Sequence, residues 1–362
     1  MPGTFKIFNP LLIVPALLFF SCSDDPSHFS DNRFPLAERH NIDSNQLNIA
    51  FLNASEIDDL QGLAVARNAV IVAEEYFSAA GAGPDSSLDV RSVTKSFTST
   101  LIGIAIDNGY ISNVDQKLNE FLGAEVDQAN PQLGQVTLRH LLTMTCGHAW
   151  QEIDEPSEFS NFATANDQLM YIFRKPIIYT PGTVFDYSDG AAHLVSAALT
   201  SVVDMSAAEF ANKYLFDPMG ITDRYWYEDN RRLSYGGVGL CVGIHDMIKL
   251  GYLILNKGEY EGRRIVSEEW IDKATGLSIS TGNILPYLTE YGYFWWRGKN
   301  YNHEYVCAMG YGGQFILICR ELNLVAASRC NWRGINSSLA GQNWWRIFDI
   351  IINQILPAVK SI

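Results

Sequence analysis

The sequence has few cysteines, few basic residues and few long apolar runs. Its 362 residues include six cysteines, and 26 Lys and Arg against 40 Asp and Glu give a formal net charge of −14. That charge argues against nucleic acid or an anionic membrane surface as a partner. Cysteines this few and scattered do not form a disulfide framework, and there is no Cys-x-x-Cys pair or His-rich cluster to bind zinc. We therefore expect neither a metal nor a cofactor.

The one apolar run that approaches membrane-spanning length lies at the N-terminus. Lys6 precedes an apolar segment at 11–20, and Cys22 follows shortly after it. This order is typical of a bacterial lipoprotein signal peptide, residues 1–21, whose cysteine becomes acylated; an ordinary secretory signal with an incidental cysteine is the alternative. The polar residues 22–45 then predict a flexible tether. We expect a mature protein in the cell envelope that contacts a membrane through its lipid only.

The pattern of strands and helices predicts an α/β (α+β) fold. A hairpin is predicted around Arg67–Asn68, an aromatic strand at 291–296, and a strand pair at 314–318 and 324–328. Helical patterns dominate the middle of the chain. We therefore expect one antiparallel sheet built from both chain ends and flanked by helices, with a helical region inserted between. The predicted parts are a sheet domain at 46–110 and 232–362, and a helical region at 111–231.

Ser92 and Lys95 carry the strongest chemical signal in the sequence. They lie three residues apart at the start of an apolar stretch that ends near Gly109, so they share one face of a predicted buried helix. A lysine one turn away can take the proton of a serine hydroxyl. Ser92 as a simple helix cap is the alternative, but it leaves a cation at the positive end of the helix dipole unexplained. We interpret Lys95 as a functional lysine whose pKa is lowered.

Two further motifs contain groups that can move protons or bind an oxyanion. In the first, Tyr187 precedes Asp189 by two positions, and a tyrosine relays protons when a nearby ammonium lowers its pKa. A structural tyrosine with Asp189 as a helix cap is the alternative. In the second, Gly310 lies in a glycine-rich segment, Ala308–Gln314, where a backbone N–H could donate to an oxyanion. Alone, this segment reads as a bulge or a turn.

In chain order, the three motifs resemble the signature set of the serine β-lactamase and D-Ala-D-Ala peptidase superfamily, which is Ser-x-x-Lys, Tyr-x-Asn and Lys-Thr-Gly. The resemblance covers about residues 60–355 and is closest to the class C-like esterase and nylon-oligomer hydrolase branch. It implies the β-lactamase/transpeptidase-like fold. Further blocks that carry it are Arg91–Phe97, Leu138–Gly147, Gly237–Leu240, Asp246–Met247 and Ile265–Ser267.

The resemblance also implies roles for individual residues. Ser92 corresponds to the acylated nucleophile, Lys95 to its base partner and Tyr187 to the second general acid/base. The backbone N–H groups of Ser92 and Tyr311 correspond to the oxyanion hole, and Gly310 to the glycine of the third motif.

The chain departs from the superfamily pattern at two places. Asp189 replaces the usual asparagine, and a carboxylate there would keep Lys95 charged. The charged lysine is expected to lower the pKa of Tyr187, which would then act as the base. Ala308 and Met309 replace the cation and the hydroxyl residue that hold a substrate carboxylate. These departures favour an ester or amide substrate over a penicillin.

The sequence thus predicts a serine hydrolase that cleaves a small-molecule ester or amide through an acyl-Ser92 intermediate. A β-lactamase or D-Ala-D-Ala carboxypeptidase is one alternative, and a non-catalytic binding lipoprotein on the same scaffold is another. Trp150 is expected to line an acyl or alcohol pocket, with packing in the core as the alternative. His245 has no sequence signal of a catalytic triad.

Overall fold

An eight-stranded antiparallel sheet organises the chain. The computed structural model describes residues 33–77, 83–84, 86–152, 157–276, 279–300 and 303–360. The strand order in the sheet is β2-β1-β13-β12-β11-β10-β9-β8, and the small sheets are β3-β5-β4 and β6-β7. The strands are β1 (Leu60–Arg67), β2 (Val70–Tyr76), β3 (Leu88–Asp89), β4 (Tyr225–Trp226), β5 (Leu240–Val242), β6 (Glu259–Tyr260), β7 (Arg263–Arg264), β8 (Ile279–Leu285), β9 (Leu288–Tyr291), β10 (Trp296–Asn300), β11 (His303–Gly310), β12 (Gln314–Cys319) and β13 (Leu324–Cys330).

Helices flank the large sheet, and those between β3 and β4 come from the middle of the chain. The predicted mixed α/β class with an antiparallel sheet flanked by helices is confirmed. The helices are α1 (Pro35–Arg39), α2 (Ser44–Ser55), α3 (Thr94–Asp107), α4 (Leu118–Ala129), α5 (Pro131–Gly134), α6 (Leu138–Leu142), α7 (Glu158–Ala163), α8 (Gln168–Phe173), α9 (Asp189–Val203), α10 (Ala207–Ala211), α11 (Ile244–Leu255), α12 (Glu268–Gly276), α13 (Ser337–Ile350) and α14 (Leu356–Ala358).

Tight turns join neighbouring strands of the sheet. The β1–β2 hairpin turns at Asn68 and Ala69, whose φ angles of 52° and 65° are both positive, as a turn matched to the twist of the strands requires. The predicted pairing of β12 with β13 is also confirmed, with Phe315 opposite Ser328. Since β1 pairs with β13, strands from the two ends of the chain are neighbours in the sheet, next to its edge strand β2.

Two sequence predictions differ from the structure. The aromatic segment 291–296 is not one strand, because β9 ends at Tyr291, β10 begins at Trp296, and Phe294 between them has a φ of 61°. The tether predicted to reach residue 45 is wrong from residue 33 onward. There α1 and the start of α2 are folded onto the domain, and Ala37 is fully buried. Cys22, the predicted signal peptide and the rest of the tether lie outside the described residues.

Arg67 explains why the segment before α2 is ordered. Its guanidinium donates hydrogen bonds to the carbonyl oxygens of His40 and Asn41, at 2.8 and 2.7 Å, and to that of Leu322 at 3.0 Å. Arg67 is almost fully buried, so these carbonyl groups replace the water that its charge loses. One side chain therefore holds the N-terminal segment to the sheet.

Two helices, α3 and α9, form the buried centre of the molecule. Residues 94–105 of α3 and residues 189–199 of α9 are all buried, so neither helix has a polar outer face. The five cysteines of the described residues are free and buried. Within the same residues, no single helix is long and apolar enough to span a membrane.

Gly103 allows α3 to approach α12, and its replacement tests this packing. A Cβ atom at Gly103 would lie 2.3 Å from the ring of Trp270, whereas a Cβ atom at Gly341 in α13 would meet nothing within 4 Å. We predict that Gly103→Ala lowers the free energy of unfolding by about 1–3 kcal/mol through overpacking. The matched Gly341→Ala should raise it by up to about 1 kcal/mol, because alanine is the better helix former. Urea unfolding measures both, and equal stabilisation by the two changes would contradict the packing.

Candidate active site

Ser92 and Lys95 lie side by side at the start of α3. Ser92 is in a 3₁₀ turn, Arg91–Val93, and Lys95 is the second residue of the helix. Lys95 Nζ donates a hydrogen bond of 2.9 Å to Ser92 Oγ. Ser92 is half-buried and reachable, whereas Lys95 is only 1% exposed. The predicted juxtaposition is therefore present, with the serine on the turn before the helix and not in its first turn.

Lys95 is enclosed by three acceptors and an aromatic ring. Besides Ser92, its ammonium contacts the carboxylate of Asp189 and donates to the carbonyl oxygen of Gly237 at 3.1 Å. The ring centre of Tyr187 lies 4.7 Å from Nζ. A Cβ atom at Gly237 would lie 2.3 Å from Asp189 Oδ1, so only glycine lets this loop close over the ion pair.

The ion pair keeps both of its members charged. Burial opposes the ammonium of Lys95, but the attraction of Asp189, Tyr187 and Glu152 outweighs it and raises the pKa of Lys95. Burial likewise opposes the carboxylate of Asp189, and the Lys95 charge overcomes it, so the pKa of Asp189 is lowered. The expectation of a lowered pKa for Lys95, drawn from the Ser92–Lys95 spacing alone, is therefore wrong, whereas the contact with Asp189 agrees with the second expectation, that this carboxylate keeps Lys95 charged.

Asp189 is free to pair with Lys95 because another residue caps its helix. Ser188 is the N-cap of α9, and its hydroxyl accepts a hydrogen bond from the backbone N–H of Ala191 at 3.0 Å. His148 Nε2 lies 2.8 Å from the same hydroxyl, and burial lowers the pKa of His148 to about 3, so its ring is neutral. The alternative in which Asp189 caps the helix is therefore wrong.

The ring of Tyr187 lies beside the Lys95–Asp189 ion pair and packs against two aromatic side chains. It stacks on Trp296 at 5.6 Å and meets the edge of Tyr291 at 6.2 Å. Burial raises the pKa of Tyr187; Lys95 acts to lower it, and Asp189 acts to raise it. The predicted lowering by Lys95 is present, but burial, the largest effect, together with Asp189 outweighs it. A net lowered pKa was therefore a wrong expectation, and the resting phenol is neutral.

Glu152 completes the cluster and was missed by the sequence reasoning. Its carboxyl accepts hydrogen bonds from the indole of Trp150 and from the backbone N–H of Asp189, the latter at 3.2 Å. Burial and the charge of Asp189 raise the pKa of Glu152 well above its usual value, so it is protonated and can donate to the Asp189 carboxylate. The two residues are 37 positions apart, and no spacing in the sequence connects them.

Trp150 supports this cluster from behind. It is buried, and a Cβ atom at Gly190 would lie 2.5 Å from its ring, so the start of α9 rests directly on the indole. Its ring also meets Phe162 at 5.8 Å and Tyr171 at 6.4 Å. Trp150 is thus placed to orient Glu152, and a pocket-lining role for it stays a prediction.

The glycine-rich segment lies against the serine turn. A Cβ atom at Gly310 would lie 2.6 Å from the carbonyl oxygen of Val90, so glycine lets the end of β11 approach the residue two before Ser92. Tyr311 follows at the β11–β12 turn and is 41% exposed. Ala308 and Met309 are buried aliphatic residues of β11.

Two other candidate groups do not add to the cluster. His245 pairs with Glu74 of β2, Nε2 to Oε2 at 2.6 Å, and takes no part in the contacts around Ser92. In the part of the chain that the structure describes, no group of three or more His, Cys, Asp and Glu side chains is arranged to hold a metal ion.

The sheet, the buried α3 and the Ser92–Lys95–Tyr187 cluster define a known class. The sequence profile of the beta-lactamase family matches residues 54–347. The chain is 23% identical over 295 residues to the 6-aminohexanoate-dimer hydrolase of Paenarthrobacter ureafaciens, which covers 74% of this chain and 71% of that protein.

Solved structures show the same fold. A Bacillus anthracis protein provisionally named 6-aminohexanoate-dimer hydrolase superposes with a TM-score of 0.72 at 18% identity, over 84% of this chain and 82% of its own. EstCE1, a hydrolase with promiscuous acyltransferase activity, superposes with a TM-score of 0.69 at 13% identity, over 86% and 100%. The protein described here belongs to the beta-lactamase family and is a hydrolase of that family.

The protonation of Glu152 can be tested by two substitutions. We predict that Glu152→Gln keeps kcat/KM within about threefold, because the amide can donate to Asp189 and accept from Trp150 as the neutral acid does. Glu152→Ala should lower the free energy of unfolding by about 1–3 kcal/mol, since it leaves buried hydrogen-bonding groups unsatisfied. Ester hydrolysis and thermal unfolding measure these effects. If Glu152→Gln is as damaging as Glu152→Ala, an ionised carboxylate is required there and our assignment is wrong.

Proposed function

We propose that the protein is a serine hydrolase that cleaves an ester or amide through an acyl-Ser92 intermediate. The observation that carries the proposal is the hydrogen bond of 2.9 Å from Lys95 Nζ to Ser92 Oγ at the head of a buried helix. An uncompensated lysine is costly at such a position, and its pairing with Asp189 keeps it next to the nucleophile.

The ion pair decides which group accepts the proton of Ser92. Asp189 holds a proton on Lys95, so of the two groups beside Ser92 Oγ, Tyr187 is the one that can give up its proton and act as the base. The phenolate then takes the Oγ proton while Oγ bonds to the substrate carbonyl carbon. When the bond to the leaving group breaks, Tyr187 returns that proton to the leaving oxygen or nitrogen. A water molecule releases the acyl group by the same steps.

The oxyanion of the tetrahedral intermediate needs two donors. We assign this role to the backbone N–H groups of Ser92 and Tyr311, because Gly310 brings the β11–β12 turn against the turn that carries Ser92. The charged Lys95 stabilises the same developing charge through space.

The side chains at positions 308 and 309 of β11 indicate the substrate class, because they include no group that would bind a substrate carboxylate. Ala308 and Met309 supply neither a cation nor a hydroxyl for a substrate carboxylate. This favours a simple ester or amide over a β-lactam. The names of the Paenarthrobacter relative and of EstCE1 agree with amide and acyl-transfer chemistry and support the same choice.

The role of Tyr187 predicts an alkaline pH profile. Because the pKa of Tyr187 is raised, kcat/KM should rise with pH through the neutral range. Tyr187→Phe should lower acylation by at least about 100-fold, as for loss of a general base. Its matched control, Tyr291→Phe on the neighbouring buried tyrosine, should retain activity. Near-normal acylation by Tyr187→Phe would assign the base to Lys95.

Asp189→Asn should move the same profile to lower pH. While Lys95 stays charged, the amide no longer repels the phenolate, so the pKa of Tyr187 falls; where burial instead removes the proton of the unpaired Lys95, its amine is itself available as a base at lower pH. Stopped-flow acylation across pH 6–11 measures the shift, with thermal unfolding to confirm that the variant is folded. A profile that is unmoved, or moved upward, contradicts the proton assignment.

The nucleophile can be identified by covalent labelling. We predict that a fluorophosphonate probe labels one peptide, which contains Ser92, and that Ser92→Ala abolishes the label. Fluorescent penicillin should label at least about tenfold more slowly, because the charge-assisted hydrogen bond to its carboxylate is missing from β11. Mass spectrometry locates the adduct. Labelling elsewhere removes Ser92 as the nucleophile, and efficient penicillin labelling favours the penicillin-directed alternative.

We also propose that Cys22 is acylated and anchors the protein to a bacterial envelope membrane. The support is the order of Lys6, the apolar segment and Cys22 in the sequence. Since one acyl chain anchors only marginally and two or more anchor stably, Cys22→Ala should release active enzyme into the soluble fraction. A soluble wild-type protein that begins at another residue would contradict the anchor.

A further inference from the structure

We propose that Arg91 binds a carboxylate on the substrate, which makes the enzyme selective for esters or amides that carry a negative charge. The inference rests on the proposed function, because it names the substrate class of the site around Ser92. It concerns the residue directly before the nucleophile, to which the sequence reasoning assigned no role.

The backbone of Arg91 is held in an unusual conformation. Its φ angle is 50°, in the left-handed region that residues with a side chain seldom adopt. Asp89 Oδ1 fixes this geometry by accepting the backbone N–H of Arg91 at 2.8 Å and that of Gly239 at 3.1 Å. Strain of this kind persists where the surroundings enforce it, and it often marks a functional position.

The guanidinium of Arg91 lies between two aromatic side chains. Its Cζ atom is 4.4 Å from the ring centre of Trp332, which follows β13, and 5.1 Å from that of Phe159 in α7. The Trp332 indole is itself fixed by its N–H, which donates to the carbonyl oxygen of Asp89 at 3.1 Å. The cation is thus positioned where the sheet side and the helical region meet, one residue from Ser92.

Several N–H groups of the Arg91 guanidinium have no hydrogen-bond partner among the described residues. Among the described residues its one hydrogen bond is to Asp89 Oδ2 at 3.5 Å, and its Nε atom is buried with no partner. A buried charged donor without a partner is costly, so a ligand oxygen would be favoured there. The Nε and Nη2 edge of an arginine matches the two oxygens of a carboxylate.

The charge of Arg91 acts next to the nucleophile, because Arg91 directly precedes Ser92 in the chain. It also contributes to lowering the pKa of Asp189. There Lys95 is already balanced by Asp189, and Glu152 is neutral. The only counter-charge of Arg91 among the described residues is the carboxylate of Asp89, at 3.5 Å, and that carboxylate also accepts two backbone N–H groups. An anionic substrate therefore meets in Arg91 a cation that is only loosely paired, directly beside the nucleophile. A carboxylate on a flexible chain can adjust to this position, whereas the carboxylate of a fused β-lactam is fixed relative to the reacting bond.

A purely structural role makes a different prediction. If Arg91 only bridges Trp332 and Phe159, its loss should affect charged and neutral substrates equally. If it binds a carboxylate, its loss should change the ratio between them. The ratio of kcat/KM values for an anionic and a neutral ester therefore separates the two roles, whatever the variant does to either value alone.

The experiment uses two substrate pairs, because the carboxylate can lie on either side of the reacting bond. One pair is p-nitrophenyl hydrogen adipate and p-nitrophenyl heptanoate, and the other is 4-acetoxybenzoate and 4-acetoxybenzamide. For one pair at least, Arg91→Met should lower the anionic-to-neutral ratio by at least about tenfold, and Arg91→Lys should lower it less. Arg333→Met is the matched control, since the exposed Arg333 also contacts the Trp332 ring, at 5.7 Å.

Equilibrium binding keeps this test separate from the test of catalysis. Dialysis with both substrate pairs, on Ser92→Ala with and without Arg91→Met, should show the same loss of preference in the pair that shows it kinetically. Unchanged ratios in Arg91→Met, or an equal loss in Arg333→Met, overturn the role of Arg91. If the wild type cleaves neither ester, the proposed function fails, and the dialysis result on the wild type and Arg91→Met still decides whether Arg91 binds a carboxylate.

Discussion

The buried ion pair between Lys95 and Asp189 is the constraint on which the rest of the site depends. Breaking a buried pair by removing one partner costs about 3–5 kcal/mol, because the other charge is left uncompensated. The neighbouring residues allow both charges to stay paired. Gly237 leaves room for the Asp189 carboxylate, and Ser188 caps α9 so that Asp189 does not have to. Glu152 adds a neutral hydrogen-bond donor beside Asp189. The pair also explains why two helices without a polar face can contain charges at their ends.

The same ion pair decides which residue transfers protons and which stabilises charge in the proposed chemistry. A lysine that stays protonated is a poor base but a good electrostatic partner for a developing oxyanion. Proton transfer then falls to Tyr187, whose phenolate is made costly by burial and by Asp189 and is favoured by Lys95. The cost of forming the phenolate is the physical reason to expect an alkaline enzyme. Arg91 pairs with Asp89 and acts on this balance only through a minor effect on Asp189, which is why we assign it to the substrate and not to the proton transfers.

Much of this could be predicted from the sequence, where the signal is local. The spacing of Ser92 and Lys95, the helix that begins at Asp189 and the pairing of β12 with β13 all follow from short periodic patterns. Contacts between distant residues could be predicted only where the resemblance to a family supplied them, as for Lys95 and Asp189. Glu152 meets Asp189 only in the folded chain, and the pKa of Tyr187 depends on how much burial opposes a neighbouring charge. The positive φ angle of Phe294 separates β9 from β10, and that of Arg91 lies in the turn that carries Ser92. Neither angle could be predicted, because hydrophobic periodicity does not depend on it.

The charge state of Lys95 is the most direct measure of this arrangement. With ¹⁵N-labelled lysine, the Nζ resonance of Lys95 can be assigned by its loss in Lys95→Arg and followed by NMR from pH 6 to pH 10. We predict an ammonium signal across that whole range in the wild type, and conversion to the amine within it in Asp189→Asn, since the largest effect that opposes the burial of Lys95 is then removed. An amine signal in the wild type at pH 8 would show that Lys95 is available as the base, and it would contradict the central role given to the ion pair.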